Sequence, residues 1–202
     1  ELGRAFVQAE SEVAAINMVY GAACTGARVM SSSSSPGASL MMEGISYIAG
    51  TELPVVLVDV MRGGPGLGNI APSQADYNQV VHGGGHGDYF PIVLAPSSVQ
   101  EAIDMTVESF DLAEKYRALT FVLADGNIGQ MMEPAQLPPM RKLERRIPDW
   151  AVRGSAGREK RVLSSIYIKP DEEEVTNLRL FERWRQIQSN ETRYKDYYLD
   201  NA

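Results

Sequence analysis

Residues 8–62 read QAESEVAAINMVYGAACTGARVMSSSSSPGASLMMEGISYIAGTELPVVLVDVMR, and this stretch decides the predicted fold. PVVLVDVM, at residues 54–61, is the kind of continuous apolar strand that is buried on both faces of a parallel sheet. A helix pattern with Ser11 as its cap comes before it, and the serine loop SSSSSPG, at 31–37, lies between the two. Strands and helices therefore alternate along the stretch, which is typical of an α/β fold.

The same alternation continues as far as residue 135. The glycine-rich segment 62–89 interrupts it, and a loop this long inside a compact domain is usually functional. We predict strands at residues 5–9, 27–32, 54–61, 90–96 and 119–125, and helices at residues 11–26, 38–48, 73–81 and 97–117. The predicted fold class is α/β, with a mostly parallel sheet flanked by helices.

The last third of the chain has a different pattern. After residue 135 we predict an extended connector with one candidate strand, LSSIYI at 163–168, and then a long charged helix over 171–202. We therefore divide the chain into a domain, residues 1–135, and a connector with its helix, residues 136–202. The helix either packs on its own domain or forms an arm towards a following domain or a partner subunit. Its predicted apolar stripe consists of Val175, Leu178, Phe181, Trp184 and Ile187.

Composition excludes several classes of protein. Of the 202 residues, 44% are apolar and 22% charged, as in ordinary globular proteins, and no run approaches the ~20 apolar residues of a membrane span. The net charge of -7 argues against nucleic acid as a partner. The single cysteine, Cys24, excludes an intrachain disulfide or an iron–sulfur site of four thiolates from this chain, and it fits a cytoplasmic location. We interpret Cys24 as a buried inert thiol.

Three polar features lie where a ligand would bind, because ligands of such folds bind at the carboxyl ends of strands. Glu12 is in the first turn of a helix whose adjoining face carries mostly small residues, although the helix dipole alone favours many such acids. The serine loop precedes a helix and suits a polar ring or an anion, but it is also a plausible simple turn. Arg62 follows a strand, and it could bind a substrate carboxylate or a surface acid. We expect the three to meet around one cofactor.

The remaining motifs predict no metal site. His82 and His86 lie in HGGGHGD, where glycine-rich backbone disfavours a helical two-histidine site and no third ligand is evident. We expect a loop over a site, with one histidine donating a hydrogen bond. The chain lacks the lysine of the phosphate loop GxxxxGK[ST] and has no GxGxxG fingerprint after a strand.

Longer runs carry a resemblance. QAESEVAAINMVYGAACTGARVMSSSSSPG, EGISYIAGTELP, RGGPGLG, PSQADYNQ, GGGHGDY, VLAPSSVQEA and DGNIGQMMEP resemble the α-type subunit of 2-oxoacid:ferredoxin oxidoreductases. The 2-oxoisovalerate type is the most similar, and the 2-oxoglutarate type is the near relative. The resemblance is strong over residues 5–135 and loose over the tail. It implies the pyrimidine-binding type of thiamine diphosphate domain.

The resemblance also implies a reaction and a set of roles. The reaction is the oxidative, CoA-dependent decarboxylation of a 2-oxoacid, with electrons passed to ferredoxin. Glu12 matches the catalytic glutamate that hydrogen-bonds N1′ of the cofactor's aminopyrimidine ring. Ser34, Ser35 and Gly37 match the loop beside that ring, and Arg62 matches the position that holds the substrate carboxylate. A β-type partner subunit would hold the diphosphate and Mg²⁺, iron–sulfur clusters would lie on partner chains or domains, and further small subunits are expected.

The sequence departs from the family's pattern at both ends. From the resemblance we expect the family's N-terminal strand with its Y-P-I-T-P-type loop, and the domain after the tail, to lie outside this sequence. We therefore expect this piece to be inactive alone. Two rival interpretations stay open: a non-catalytic assembly scaffold with the same fold, and another kind of thiamine enzyme such as a transketolase or an ordinary decarboxylase.

Overall fold

The computed structural model describes residues 5–140 and 147–194. The elements are α1 (Glu12–Cys24), β1 (Met30–Ser33), α2 (Ser35–Leu40), α3 (Met42–Gly50), β2 (Val55–Met61), α4 (Tyr77–Val81), β3 (Ile92–Leu94), α5 (Val99–Tyr116), β4 (Leu119–Asp125), α6 (Gly126–Gln130) and α7 (Pro170–Glu191). The four strands form one parallel sheet in the order β1-β2-β4-β3. The α/β prediction with a parallel, helix-flanked sheet is confirmed.

Local sequence explains most of these boundaries. The hydroxyl of Ser98 caps α5 by accepting from the Glu101 N–H at 3.1 Å, and the Glu101 carboxylate accepts from the N–H and hydroxyl of Ser97. Ser98 is therefore the cap of α5, and the bond returning to the Glu101 side chain comes from Ser97. Arg117 ends the helix in the left-handed conformation, with a φ of 48°. The strand predicted at 119–125 is observed with those bounds.

Three predictions of secondary structure were wrong. Residues 5–9 are not a buried strand: they pair with no strand in the described chain, and the side chain of Phe6 is 95% exposed. Residues 163–168 form no strand either. The helix predicted at 38–48 is two helices, α2 and α3, which meet at Met41. An apolar run shows that a segment suits burial, but it does not show which surface will bury it.

The C-terminal helix α7 packs on the domain, one of the two alternatives that the sequence left open. Trp184 stacks on Phe90 with ring centroids 4.7 Å apart, and the Tyr116 hydroxyl donates to Glu191 at 2.7 Å. The predicted apolar stripe is divided, because Val175 and Leu178 point outward and are more than half exposed. Residues 195–202, included in the predicted helix, lie outside the described part of the chain.

The core is built around the sheet. Ile16 of α1 and Ile45 of α3 pack with Val55 and Leu57 of β2, and all four side chains are at most 3% exposed. Burying large aliphatic side chains of this kind contributes roughly 1.5–3 kcal/mol each. The core therefore fixes α1 and β2 relative to each other, which positions the tip of α1 beside the carboxyl end of the sheet. None of the helices in the described residues is long and apolar enough to cross a membrane.

Candidate active site

The tip of α1 presents a carboxylate at the edge of the sheet. The Ser11 hydroxyl caps the helix by accepting from the Ala14 N–H at 3.2 Å, as predicted. Glu12 follows in the first turn, where the helix dipole favours a negative charge, and it is half-buried. Among the described residues its carboxylate has no hydrogen-bonding or charged partner. The group is thus held in place by the helix and remains free to bind a ligand.

The serine turn meets this carboxylate at Gly37. Gly37 is buried in α2, and a Cβ added there would lie 2.8 Å from Oε1 of Glu12 and would overlap the hydroxyl of Ser33. Only glycine therefore leaves room for the carboxylate to lie against the backbone of α2. Ser34 is the N-cap residue of α2, yet its hydroxyl makes no capping bond. The predicted approach of Glu12 to this loop is present in the structure.

Ser35 connects the serine turn to Arg62. The Ser35 hydroxyl accepts from the Arg62 N–H at 3.1 Å, lies 3.3 Å from the Arg62 carbonyl oxygen and donates to the carboxylate of Asp76. An antiparallel bridge to Pro72 holds Arg62 from the other side. Nε of Arg62 is buried and has no hydrogen-bond acceptor in the described chain. The structure thus brings the main chain of Arg62 to the serine turn and leaves its guanidinium with unused donor capacity.

Sequence reasoning missed two carboxyl groups near this edge, those of Asp59 and Asp76. Asp59 lies in β2 and is 1% exposed. Burial, reinforced by the charge of the Asp76 carboxylate, raises the pKa of Asp59 to about 7, and neither oxygen of the Asp59 carboxyl has a hydrogen-bond partner in the described chain. An acid inside an otherwise apolar parallel strand was the available signal for Asp59. Asp76 lies in the irregular loop before α4, where no comparable pattern marks it.

The histidine loop packs against α3. The hydroxyl of Ser46 donates to the carbonyl oxygen of His86 at 2.6 Å, and the ring of His86 meets Tyr47 edge-on at 6.4 Å. Neither imidazole donates a hydrogen bond within the described residues, and both histidines are exposed there. In the same residues, no group of three or more His, Cys, Asp or Glu side chains could hold a metal ion. The loop therefore gives no support to a role for His82 or His86.

Cys24 closes α1 on the side away from Glu12. It is half-buried in the described structure, and burial raises the pKa of its thiol, opposed by a backbone hydrogen bond. A raised pKa reduces the thiolate fraction at neutral pH, which is the form that reacts. The interpretation of Cys24 as an unreactive thiol agrees with this environment.

Comparison with known proteins identifies the family. The family described as "Pyruvate flavodoxin/ferredoxin oxidoreductase, thiamine diP-bdg", a thiamine diphosphate-binding domain, matches residues 1–198. The chain belongs to this family. This match confirms the resemblance seen in the sequence motifs and the fold class that the resemblance implied.

Curated proteins match the chain with different coverage. The ketoisovalerate oxidoreductase subunit VorB of Methanothermobacter thermautotrophicus is 56% identical over 201 residues, which is 100% of this chain and 57% of that protein. The 2-oxoglutarate synthase subunit KorA of Archaeoglobus fulgidus is 46% identical over 145 residues, 71% of this chain and 42% of that protein. The chain thus spans about half the length of the curated relatives it matches.

A solved structure has the same fold. It is a 2-oxoglutarate:ferredoxin oxidoreductase from Magnetococcus marinus with 2-oxoglutarate, coenzyme A and succinyl-CoA bound. The TM-score is 0.77 at 29% sequence identity, and the match covers 96% of this chain and 38% of that one. The agreement extends over nearly the whole chain, including the tail where the sequence resemblance is loose.

Proposed function

We propose that this chain is the pyrimidine-binding part of a thiamine diphosphate-dependent, CoA-dependent 2-oxoacid:ferredoxin oxidoreductase subunit, with 2-oxoisovalerate as substrate. The observation that carries the proposal is the carboxylate of Glu12, which lies against Gly37 and has no partner in the described chain. The carboxyl of Glu12 is held by its helix, has no partner and lies beside a space that a Cβ at position 37 would fill. This arrangement suits the binding of a flat polar ring. The proposed domain division at residues 135 and 136 belongs to the same interpretation.

The residues present fit the cofactor. Thiamine diphosphate, when bound, supplies the carbon nucleophile and the electron sink for decarboxylation. Glu12 would hold and move a proton at its carboxyl oxygen, facing a ring nitrogen. Gly37 would let the ring lie close to the backbone of α2, and the hydroxyls of Ser34 and Ser35 border the same turn. Each role of these residues remains a proposal.

Arg62 would bind the carboxylate of the 2-oxoacid. A guanidinium grips a carboxylate with two parallel hydrogen bonds, which fix orientation as well as position. The support is that the backbone of Arg62 is held on both sides, by Ser35 and Pro72, while its Nε has no acceptor in the described residues. Because its main chain is fixed and its side-chain donor is unsatisfied, the guanidinium of Arg62 is suited to bind an anion.

The active site would be completed by a β-type partner subunit. Val13 and Met18 of α1 are 46% and 49% exposed, on the helix whose first turn carries Glu12. Exposed apolar side chains beside a site favour coverage by another chain. We assign the diphosphate, Mg²⁺ and the iron–sulfur clusters to partner chains or domains. Further small subunits, ferredoxin and CoA complete the proposed set of partners, and we place the complex in the cytoplasm.

Two candidates for the substrate have specific support. Ketoisovalerate is favoured because the relative named for it is 56% identical along the whole chain. 2-Oxoglutarate is the alternative, because the KorA subunit is 46% identical over 71% of the chain and the matching solved structure binds 2-oxoglutarate. The alternative from another class is a scaffold that has kept the fold for assembly and does not catalyse.

The test is an assay of the whole complex with a panel of 2-oxoacids, CoA and a viologen dye as electron acceptor. We expect the highest kcat/KM with 2-oxoisovalerate. The highest value with 2-oxoglutarate would establish the alternative substrate. If no 2-oxoacid reduces the dye in a complex that contains all its subunits and the cofactor, the scaffold interpretation replaces the proposal.

A further inference from the structure

A cleft at the amino end of the sheet has no role in the proposed function. It has a volume of about 700 Å³ and lies between the domain, the connector and α7. Its charged lining residues are four arginines and two acids: Arg117, Arg161, Arg179, Arg183, Glu52 and Asp149. Four positive and two negative charges leave the described lining with an excess of positive charge. A cleft of this size can hold a small molecule, and its charge favours an anion.

Three of these arginines surround one carboxylate. Arg179 and Arg183 of α7 both donate to the carboxylate of Glu52, shortly before β2. Arg183 also donates to the carbonyl oxygen of Arg117 at 3.2 Å, and Arg117 lines the same cleft. The side chains of Arg183 and Glu52 are only 18% and 10% exposed, so solvent screens this pair weakly. One carboxylate balances one guanidinium, and the group therefore keeps an excess of positive charge.

Arg117 has a donor that the described chain does not use. Its guanidinium carbon lies 4.9 Å from the centroid of the Trp150 ring, and its Nε is buried without a hydrogen-bond acceptor. Burial lowers the pKa of Arg117, and the positive charges of Arg183 and Arg179 lower it further. The carboxylate of Glu52 opposes this shift but does not reverse it. An anion in the cleft would supply both the missing acceptor and the missing charge.

The remaining charges of the cleft contribute less. Arg161 donates to the carbonyl oxygen of Asp149 at 3.1 Å and pairs with the carboxylate of Glu159, also at 3.1 Å. Its charge is thus already partly balanced. Asp149 is exposed, so water and salt screen its carboxylate. The excess positive charge therefore lies with the three arginines around Glu52.

We propose that this cleft binds a phosphate-bearing small molecule through the guanidinium groups of Arg117, Arg179 and Arg183. Guanidinium groups bind phosphate oxygens with paired, charge-assisted hydrogen bonds, and a phosphate dianion would balance the excess charge. The volume of the cleft is larger than a phosphate group needs, which leaves room for the organic part of an ester. The cleft lies at the opposite end of the sheet from Glu12 and Arg62, so this site does not depend on the proposed function.

A bound phosphate group should hold α7 on the domain. Arg117 lies just before β4, whereas Arg179 and Arg183 belong to α7, so a phosphate that contacts all three connects the two parts. A ligand that binds only the closed arrangement stabilises it by mass action. Phosphate should therefore slow hydrogen exchange of the α7 amides. Salt that only screens charge should speed this exchange, because it weakens the pairs of Glu52 with α7.

The experiment follows hydrogen exchange of the α7 amides in the whole complex during titration with inorganic phosphate or adenosine 5′-monophosphate. Sodium chloride at matched ionic strength is the control. We expect both phosphates to slow exchange saturably and chloride to speed it, and the midpoint of each titration gives a Kd. A lower Kd for the monophosphate supports a phosphate ester as the ligand. A lower Kd for inorganic phosphate supports the same site with the free ion as its ligand.

Two substitutions locate the binding site. Arg117→Gln and Arg179→Gln each remove one charge from the cleft, on the domain and on α7, and each should raise the Kd for phosphate by about tenfold or more. Arg185→Gln is the matched control. The guanidinium of Arg185 lies over the ring of Phe181, outside the described lining of the cleft, so this variant should bind phosphate as the wild type does.

The proposal is overturned if neither phosphate slows exchange of the α7 amides in the wild-type complex. It is also overturned if the Kd is unchanged in both Arg117→Gln and Arg179→Gln, because phosphate would then bind elsewhere. If Arg117→Gln does not fold, Arg179→Gln decides alone, since its side chain is 52% exposed and tolerates the change more easily.

Discussion

Charged side chains have different partners at the two ends of the parallel sheet. At the amino end, before β2, the carboxylate of Glu52 accepts from Arg179 and Arg183 of α7, and Arg183 also donates to the carbonyl oxygen of Arg117 at 3.2 Å. At the carboxyl end, Glu12 and Nε of Arg62 have no partner in the described residues. Ion pairs of Glu52 hold α7 to the amino end, where Nε of Arg117 is also buried without an acceptor, whereas Glu12 at the carboxyl end has no charged partner in the described residues. We take the unpaired carboxylate of Glu12 as support for the proposed binding site at the carboxyl end.

The pKa of Glu52 agrees with this difference between the two ends. Burial pushes the pKa of Glu52 upward, but the hydrogen bond from Arg183 and the charges of Arg183, Arg179 and Arg117 outweigh it and hold the pKa below the ordinary value. The carboxylate is thus stabilised in its charged form by the protein itself. The carboxylate of Glu12 and Nε of Arg62 have no hydrogen-bond partner in the described chain, so both groups are available to the proposed ligand.

The largest expected effect comes from Glu12→Gln at the carboxyl end. Glutamine keeps the shape of the side chain but cannot hold and release the proton, so turnover of the whole complex should fall by about 10²–10⁴-fold. The subunits should still assemble, because the helix cap at Ser11 is unchanged. Steady-state kinetics with a viologen dye measure the loss. Glu10→Gln, an exposed neighbour on the same segment, is the control and should turn over as the wild type does.

Turnover of Glu12→Gln within a few-fold of the wild type would remove Glu12 from the mechanism. The different pairing of charged groups at the two ends would then have no bearing on catalysis.

The second effect tests the amino end. Glu52→Gln leaves two guanidinium groups without their carboxylate, and the side chain of Glu52 is only 10% exposed. Removing one partner of a buried pair costs roughly 3 kcal/mol. Hydrogen exchange of the α7 amides in the complex should therefore show a lower free energy of local opening in the variant than in the wild type. Glu108→Gln breaks an exposed pair with Arg193 and should cost less than about 1 kcal/mol.

The pH dependence of this pair has a defined sign. Because the pKa of Glu52 is lowered on folding, its stabilisation is present above the ordinary value of 4.5 and is lost as the pH falls through the lowered pKa. Protection of α7 should therefore fall with acidification in the wild type and much less in Glu52→Gln. An equal acid response in both proteins would show that Glu52 does not hold α7 on the domain.

The third and smallest effect concerns Arg62→Ala. The KM for the 2-oxoacid should rise about 10–100-fold, since a charge-assisted pair contributes roughly 1.5–3 kcal/mol. The contacts to Ser35 involve the main chain of Arg62, so they survive the substitution and kcat should change less. Arg153→Ala, an exposed arginine of the connector, is the control. An unchanged KM in Arg62→Ala would contradict the role of Arg62 in binding the carboxylate.

Local signals in the sequence predicted much of the fold. Ser11 caps α1 as expected, and the apolar runs at β2 and β4 predicted those strands nearly residue by residue. Segment 5–9 failed because Phe6 and Val7 are apolar but exposed in the described chain. A local pattern encodes a preference for burial, whereas the burying surface is set by tertiary or quaternary contacts.

Some contacts of the candidate site could also be predicted from the sequence, and others could not. The approach of Glu12 to Gly37 could be expected from the order of helix, strand and turn, because both lie at the carboxyl end of β1. The contacts of Ser35 with Asp76 and Arg62 could not, because they join residues 41 and 27 positions apart through a long irregular loop. Asp59 was visible as one acid in an apolar strand, but the raised pKa of its carboxyl depends on burial and on a neighbour, Asp76, that only the folded chain supplies.

The most direct test of the central claim is a structure of the whole complex with thiamine diphosphate bound. The account predicts that a carboxyl oxygen of Glu12 lies within about 3 Å of a nitrogen of the aminopyrimidine ring, with that ring against Gly37. It is contradicted if the ring binds elsewhere while Glu12 faces water or a partner's cation.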